Sequence, residues 1–150
     1  MPFITEWLIP DKILYSRSYG VLTAEDLHQQ VKAMYPFAED ARTPFHYMVD
    51  GTYIESRNFT LKDIRSLFSD KNRDPNLRLI VAVDPSAIAR FFASIVMYVS
   101  GRDGRQVATV EEGLRFLTLV DSSLPPLEDL LSTWQAFNAR IQTQIGKAEQ

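Results

Sequence analysis

Few side chains in this 150-residue chain are of types that carry chemistry alone: it has no cysteine and only two histidines, His28 and His46. Without cysteine there is no thiolate nucleophile, no disulfide and no thiolate metal site. Neither histidine has a partner at the i+4 spacing of a helical zinc site, so no metal and no cofactor is expected. Ser86 stands between a strand and a helix, where a nucleophile elbow would lie. It follows Pro85 and lacks flanking glycines, so it reads as a helix cap. The Gly101-Arg102-Asp103-Gly104-Arg105 stretch follows a helix rather than a strand, which is the wrong order for a phosphate cradle. Glu25/Asp26, Glu111/Glu112 and Glu128/Asp129 all fall in first helical turns, where the helix dipole accounts for them.

Asp50 and Asp84 are different. Each follows the C-terminal end of an apolar strand, and in open parallel sheets ligand sites gather along that edge. Simpler uses exist: Asp50 can form an Asp-Gly turn, and Asp84 can cap Ser86-Ala87. Asp50, Asp84 and Arg57 are the set from which an enzyme could be built. They show no nucleophile–base pairing and no metal set, so the chain is not expected to be a catalyst.

The elements that must position these residues alternate. Ile4–Leu8 and Ile13–Tyr19 read as strands, with Ile13, Tyr15, Arg17 and Tyr19 sharing one face of the second. Thr23 with Asp26 opens a helix whose apolar stripe is Leu27, Val31 and Met34, and Pro36 lies near its end. Phe45–Val49 is a buried strand closing at Asp50-Gly51, and the polar segment 52–59 reads as a loop. Thr60 caps a short helix carrying Leu61, Ile64, Leu67 and Phe68, followed by a charged loop at 69–76. Leu77–Val83 is apolar on both faces, as a central strand is. A helix over Ala87–Ser100, with Gly101 as its C-cap, precedes a short strand at 106–108. Thr109-Val110-Glu111-Glu112 is a capping box opening the next helix. Asp121–Pro126 is a linker, and a last amphipathic helix carries Leu127, Leu130, Leu131, Trp134, Phe137, Ile141 and Ile145 on one side. Strands alternating with helices predict an α/β sheet with right-handed crossovers.

Sixteen basic and nineteen acidic residues give a net charge of −3, which argues against the concentrated basic face that a nucleic-acid partner requires. The first residues lack the basic-then-apolar pattern of a signal peptide. The most apolar window, Ala87–Val99, is shorter than the ~20 residues that span a bilayer and contains Arg90. A cytoplasmic protein without a membrane span is expected.

The helix over Ala87–Ser100 has more apolar surface than covering a sheet requires. Ile88, Phe91, Phe92, Ile95, Val96, Tyr98 and Val99 spread over a wide arc, with Met97 almost opposite it. That excess has to meet the C-terminal helix, a second subunit or a hydrophobic ligand. If it meets a ligand, Phe91, Phe92, Met97 and Tyr98 would line the cavity, with Asp50 or Asp84 at its mouth.

Four stretches carry a resemblance to a family: Tyr19–Asp26 entering the first helix, Tyr47-Met48-Val49-Asp50, Leu79–Val83, and Val107–Leu114. Over residues 3 to 121 the chain resembles the STAS-like, anti-sigma-factor-antagonist-like superfamily. The resemblance implies a four- to five-stranded mixed sheet with helices mainly on one face, here followed by the C-terminal amphipathic helix. The domain expectation is therefore 1–121 and 122–150. It also implies non-enzymatic regulation through contacts with another protein or, as a homodimer, with a second copy. Phosphorylatable members carry a serine in an Asp-Ser-Ser/Thr-Gly stretch that opens a helix. The corresponding stretch here is Ile54–Thr60, and Ser56 is the nearest match, without the Ser/Thr and Gly that should follow. Related α/β folds of the CRAL-TRIO kind carry apolar ligands, which makes binding a small apolar or amphipathic ligand the alternative function.

Overall fold

The computed structural model describes residues 2–63 and 76–149, apart from the side chains of 96, 99 and 100. The helix expected from Leu61 through Ile64, Leu67 and Phe68, and most of the charged loop after it, lie outside these residues. The described part of that helix is its start, Leu61–Asp63. The chain divides into two compact units, Met1–Gly113 and Leu114–Gln150.

The first unit is a mixed α/β structure on a five-stranded sheet in the order β1-β2-β3-β4-β5. The strands are β1 (Phe3–Ile9), β2 (Ile13–Thr23), β3 (Phe45–Asn58), β4 (Leu77–Val83) and β5 (Gly104–Val107). β1 and β2 form an antiparallel hairpin. The neighbours β2–β3, β3–β4 and β4–β5 are all parallel. Parallel neighbours need crossover connections, and α1 (Ala24–Asp40) and α2 (Ala87–Ser100) supply two of them.

Helix α1 opens with a full capping box. The Asp26 backbone N–H donates to Thr23 Oγ1 at 3.2 Å, and the Thr23 N–H donates to the Asp26 carboxylate at 2.9 Å. Pro36 lies in the last turns of the helix, which ends at Asp40. Pro36 removes one backbone donor, but the turn that follows is packed. Ala38 is buried in a cluster with Leu14, Met34, Phe45 and Tyr47. Trp7 sets its ring edge-on to Phe37 at 6.0 Å and to Phe45 at 5.4 Å.

Strand β3 differs most from the sequence reading. It continues through 52–58, where a loop was expected, because β2 also runs on to Thr23 and its end pairs with this segment, Tyr19 with Tyr53 and Thr23 with Asn58. Most of these residues are exposed. Backbone pairing rather than apolar alternation makes them a strand.

Helix α2 is capped by Ser86, whose Oγ accepts from the Ala89 N–H at 3.3 Å, and it ends at Gly101. The strand that follows begins at Gly104, where a Cβ would collide with the Ile80 carbonyl oxygen and the Met97 sulfur. Only glycine lets β5 lie this close to β4 beneath α2.

The second unit begins inside helix α3 (Val110–Val120) and contains α4 (Leu127–Ala148). The linker between them is tightened by Asp121, whose carboxylate accepts from the Ser123 N–H at 2.9 Å. On α4, Leu130, Trp134, Phe137, Ile141 and Ile145 form the buried stripe, as the helical spacing of the sequence implies.

Replacing Gly104 with Ala should lower the unfolding free energy by about 2 kcal/mol, the usual cost of forcing extra atoms against packed neighbours. A urea melt measures it. A midpoint unchanged from wild type would show that β5 does not approach Ile80 this closely.

Candidate functional site

In the first unit, a cavity of about 490 Å³ lies between the sheet, α1 and α2. Its walls are aliphatic and thioether side chains: Leu22, Val31 and Met34 on one side, Ala89, Ala93 and Met97 on the other. The sheet contributes Val49, Ile80 and Ala82, residues of central strands that are nonetheless only half-buried. Solvent therefore reaches the middle of the sheet between the two helices.

The side of the cavity at β2 and α1 is polar and internally satisfied. Ser16 and Ser18 alternate with Leu14 along one face of β2, and Gln30 meets them from the buried side of α1. Gln30 Nε2 donates to Ser16 Oγ at 2.8 Å, and Ser18 Oγ donates to Gln30 Oε1 at 2.9 Å. Ser16 Oγ also lies 3.0 Å from Thr5 Oγ1 and is hydrogen-bonded to the Tyr47 phenol. Burial pushes the Tyr47 phenol from 10.0 up to about 12, partly offset by that bond to Ser16. The chain of bonds joins α1 to β1, β2 and β3.

A charged pair lies at the C-terminal ends of β3 and β4. Arg57, near the end of β3, forms an ion pair with Asp84, just past β4. The second Asp84 oxygen accepts from the Ser86 N–H at 2.9 Å, so this carboxylate is fixed to the start of α2. Exposed Thr60, Leu61 and Phe92 complete the lining here and mark it as the mouth. Asp84 is close enough to Gly51 that a Cβ there would stand 2.8 Å from Asp84 Oδ2.

Asp50 precedes Gly51 and faces the other way, as strand alternation requires. Its carboxylate accepts from the Tyr15 hydroxyl and from the Thr52 N–H at 2.9 Å. Arg17 Nε donates to Tyr15 Oη at 2.8 Å and lies 3.9 Å from the Asp50 carboxylate. Tyr53 lies against the Arg17 guanidinium at 4.3 Å from the ring centroid. Arg17, Tyr15 and Asp50 are all fully buried. Desolvation, reinforced by the neighbouring Asp50 charge, raises the Tyr15 phenol strongly and keeps it protonated. Replacing a partner in such a buried pair leaves an uncompensated charge, which makes this network structural.

The structure thus brings Asp84, Phe92 and Met97 to the cavity and places Asp50 on the opposite face of the sheet. Asp84 and Arg57 meet, but Asp50 does not join them. Met97 is buried at 8% exposure, whereas Phe91 and Tyr98 are 62% and 89% exposed on the outer side of α2. Ser56 is exposed within β3, opposite Val21 in the register. Ser16, Ser18 and Gln30 were not singled out from the sequence. The available signal was two serines at alternate positions of an otherwise apolar strand face. Among the described residues no group of three His, Asp or Glu side chains could hold a metal ion.

No family model and no curated protein matches the sequence. The fold does match a solved structure, that of an uncharacterized protein of the DUF3478 family with a SpoIIAA-like fold from Shewanella loihica PV-4. The match has a TM-score of 0.56 at 15% identity and covers 77% of this chain and 91% of that one. The chain therefore has a SpoIIAA-like, STAS-like fold, the class its strand and helix landmarks resemble. No helix among the described residues is long and apolar enough to cross a membrane.

Two measurements test these networks. Tyr15→Phe removes a donor from the buried Asp50 carboxylate and should cost about 1–3 kcal/mol in a denaturant melt. An unchanged midpoint would mean that the bond contributes nothing. The raised phenols also fix an alkaline response. In the unfolded chain a tyrosine ionises near pH 10, whereas folded Tyr47 holds its proton to about 12. Between those values the unfolded state binds fewer protons, so stability is complete below pH 10 and falls as pH rises towards 12. Tyr47→Phe should flatten that fall. An equal slope in both proteins would contradict the assignment.

Proposed function

We propose that this chain is a non-catalytic STAS-like module that binds a small amphipathic molecule in the cavity between α1, α2 and the sheet. The observation that carries this reading is the cavity itself. Its volume of about 490 Å³ lies within the range of small-molecule sites, roughly 300–1,000 Å³. Its lining also fits such a site: mostly apolar walls with a few fixed polar groups. The separation of Asp50 from Asp84 and Arg57 supports binding over catalysis, since the three carry the enzymatic alternative only if they converge.

Calorimetric titration with dodecanol, a neutral chain of aliphatic carbons, tests the reading. Wild type should bind. Ala93→Trp, which puts an indole into the cavity wall, should weaken binding by about tenfold or more, a loss of ~1.4 kcal/mol. If wild type shows no heat and no protection against thermal unfolding, the cavity is not a ligand site.

A second observation favours contact with another protein chain. On the outer side of α2, Ile88, Phe91 and Tyr98 are 71%, 62% and 89% exposed, a row of large apolar groups at helical spacing. We assign this row to regulation by protein contact, with a second copy as the simplest partner. Sedimentation velocity at high protein concentration should show a dimer that Tyr98→Asp and Phe91→Asp convert to monomer. A strict monomer for wild type would remove self-association.

A further inference from the structure

We propose that the molecule in the cavity is a neutral aliphatic alcohol, its hydroxyl held between Gln30 and Ser18. This rests on the cavity being a ligand site, as argued above, and adds which side chains receive the polar group and what that group is.

Gln30 stands among apolar neighbours on α1. Leu27 and Met34, a turn to either side of it, line the cavity with it. Gln30 is 4% exposed, and Ser18, which meets it from β2 and also lines the cavity, is 2% exposed. Each polar atom of the Gln30 side chain has one partner: Nε2 donates to Ser16 Oγ, and Oε1 accepts from Ser18 Oγ. A side-chain amide has two N–H donors, and two lone pairs on its oxygen. Among the described residues, one N–H and one lone pair of Gln30 therefore remain open. Ser18 Oγ gives its hydrogen to Gln30, which leaves it able to accept one.

A hydroxyl fits these positions at once. Its oxygen accepts from the open Gln30 N–H, and its hydrogen is donated to Ser18 Oγ or to the open lone pair of Gln30 Oε1. The bonds that tie α1 to β2 stay in place, so the ligand adds hydrogen bonds and breaks none. Burying an N–H without a partner carries a cost, and the ligand oxygen removes it. The head group that fits is neutral. Among the described residues, the part of the lining that β2 and α1 contribute has no charged side chain. A carboxylate or ammonium group there would exchange its water for neutral partners alone, which costs more than the new bonds return. Arg57 and Asp84 are closed on each other and offer no net charge. The other walls receive an aliphatic chain, with Met34 and Met97 adapting to its shape.

The test compares dodecanol with 1-methoxyundecane by calorimetry on the full chain. The two have equal numbers of heavy atoms, and the ether can accept a hydrogen bond but cannot donate one. In a wholly apolar cavity the ether binds more tightly, because the alcohol gives up a bond to water that nothing replaces. Wild type should show the opposite order, with dodecanol a few-fold tighter, and should bind laurate, the same chain with a charged head, more weakly than dodecanol. The double variant Ser18→Ala, Gln30→Leu removes the seat and leaves Ser16 its partners Thr5 and Tyr47, so no polar group is orphaned. It should move the ratio towards the ether by about tenfold, ~1.4 kcal/mol. A merely structural tie between α1 and β2 would move both ligands together. An ether or a laurate that binds wild type as tightly as dodecanol, or a dodecanol preference that survives the double variant, overturns the alcohol assignment and leaves the cavity reading standing. The wild-type order is decisive without the variant. Binding of none of the three overturns both.

Discussion

Alternation along β2 and β3 is the constraint on which the rest depends. Each residue step along a strand turns the side chain to the other face. In β2 it sends Leu14, Ser16 and Ser18 towards α1, and Tyr15 and Arg17 away from it. In β3 it separates Asp50 from Gly51. Because the two strands run parallel in a fixed register, Arg17 beside Asp50 and Leu14 beside Tyr47, the polar residues sort into two networks that do not touch. One, around Asp50, is sealed and charged. The other, around Gln30, lines one side of a cavity. A slip of one residue would exchange the faces and bury Ser16 and Ser18 where Arg17 now finds its carboxylate.

The two networks differ in energetic character. Arg17 and Asp50 are both out of water, and their retention depends on each other and on Tyr15, Thr52 and Tyr53. The bonds of Gln30 are neutral and connect a helix to the sheet. They leave the space beside them apolar, which makes a cavity here tolerable. Its mouth has a half-buried ion pair, Arg57 with Asp84.

How far the sequence reveals this varies by residue. Ser86 and Gly101 bracket α2 as their types imply, and Thr23 with Asp26 opens α1, because capping is decided by neighbours three positions away. The α/β sheet follows from the alternation of elements, and the STAS-like class from the resemblance carried by Tyr19–Asp26, Tyr47–Asp50, Leu79–Val83 and Val107–Leu114. Local pattern is silent about the strand character of 52–58, which depends on the distant end of β2. It is also silent about Arg17, since a charge in a strand ordinarily faces water. Its burial depends on a carboxylate thirty-three residues later. Gln30 was hidden for the same reason: a polar residue on a helix reads as solvated until its partners on another element are known. Asp84 and Met97 could be associated with a cavity from the sequence, whereas Asp50, of the same type and in a similar position, could not be told from Asp84 before the register was fixed.

The central claim is that the two faces of the sheet have different tasks, ligand on the α1–α2 face and structure on the other. The methionines report on it directly. Met34 and Met97 line the cavity, while Met48 is buried on the face of Tyr15 and Asp50. In a methyl spectrum of methionine-labelled protein titrated with dodecanol, the Met34 and Met97 signals should move together and saturate while Met48 stays in place. A shift of Met48 without Met34 and Met97, or no shift at saturating dodecanol, would contradict the account.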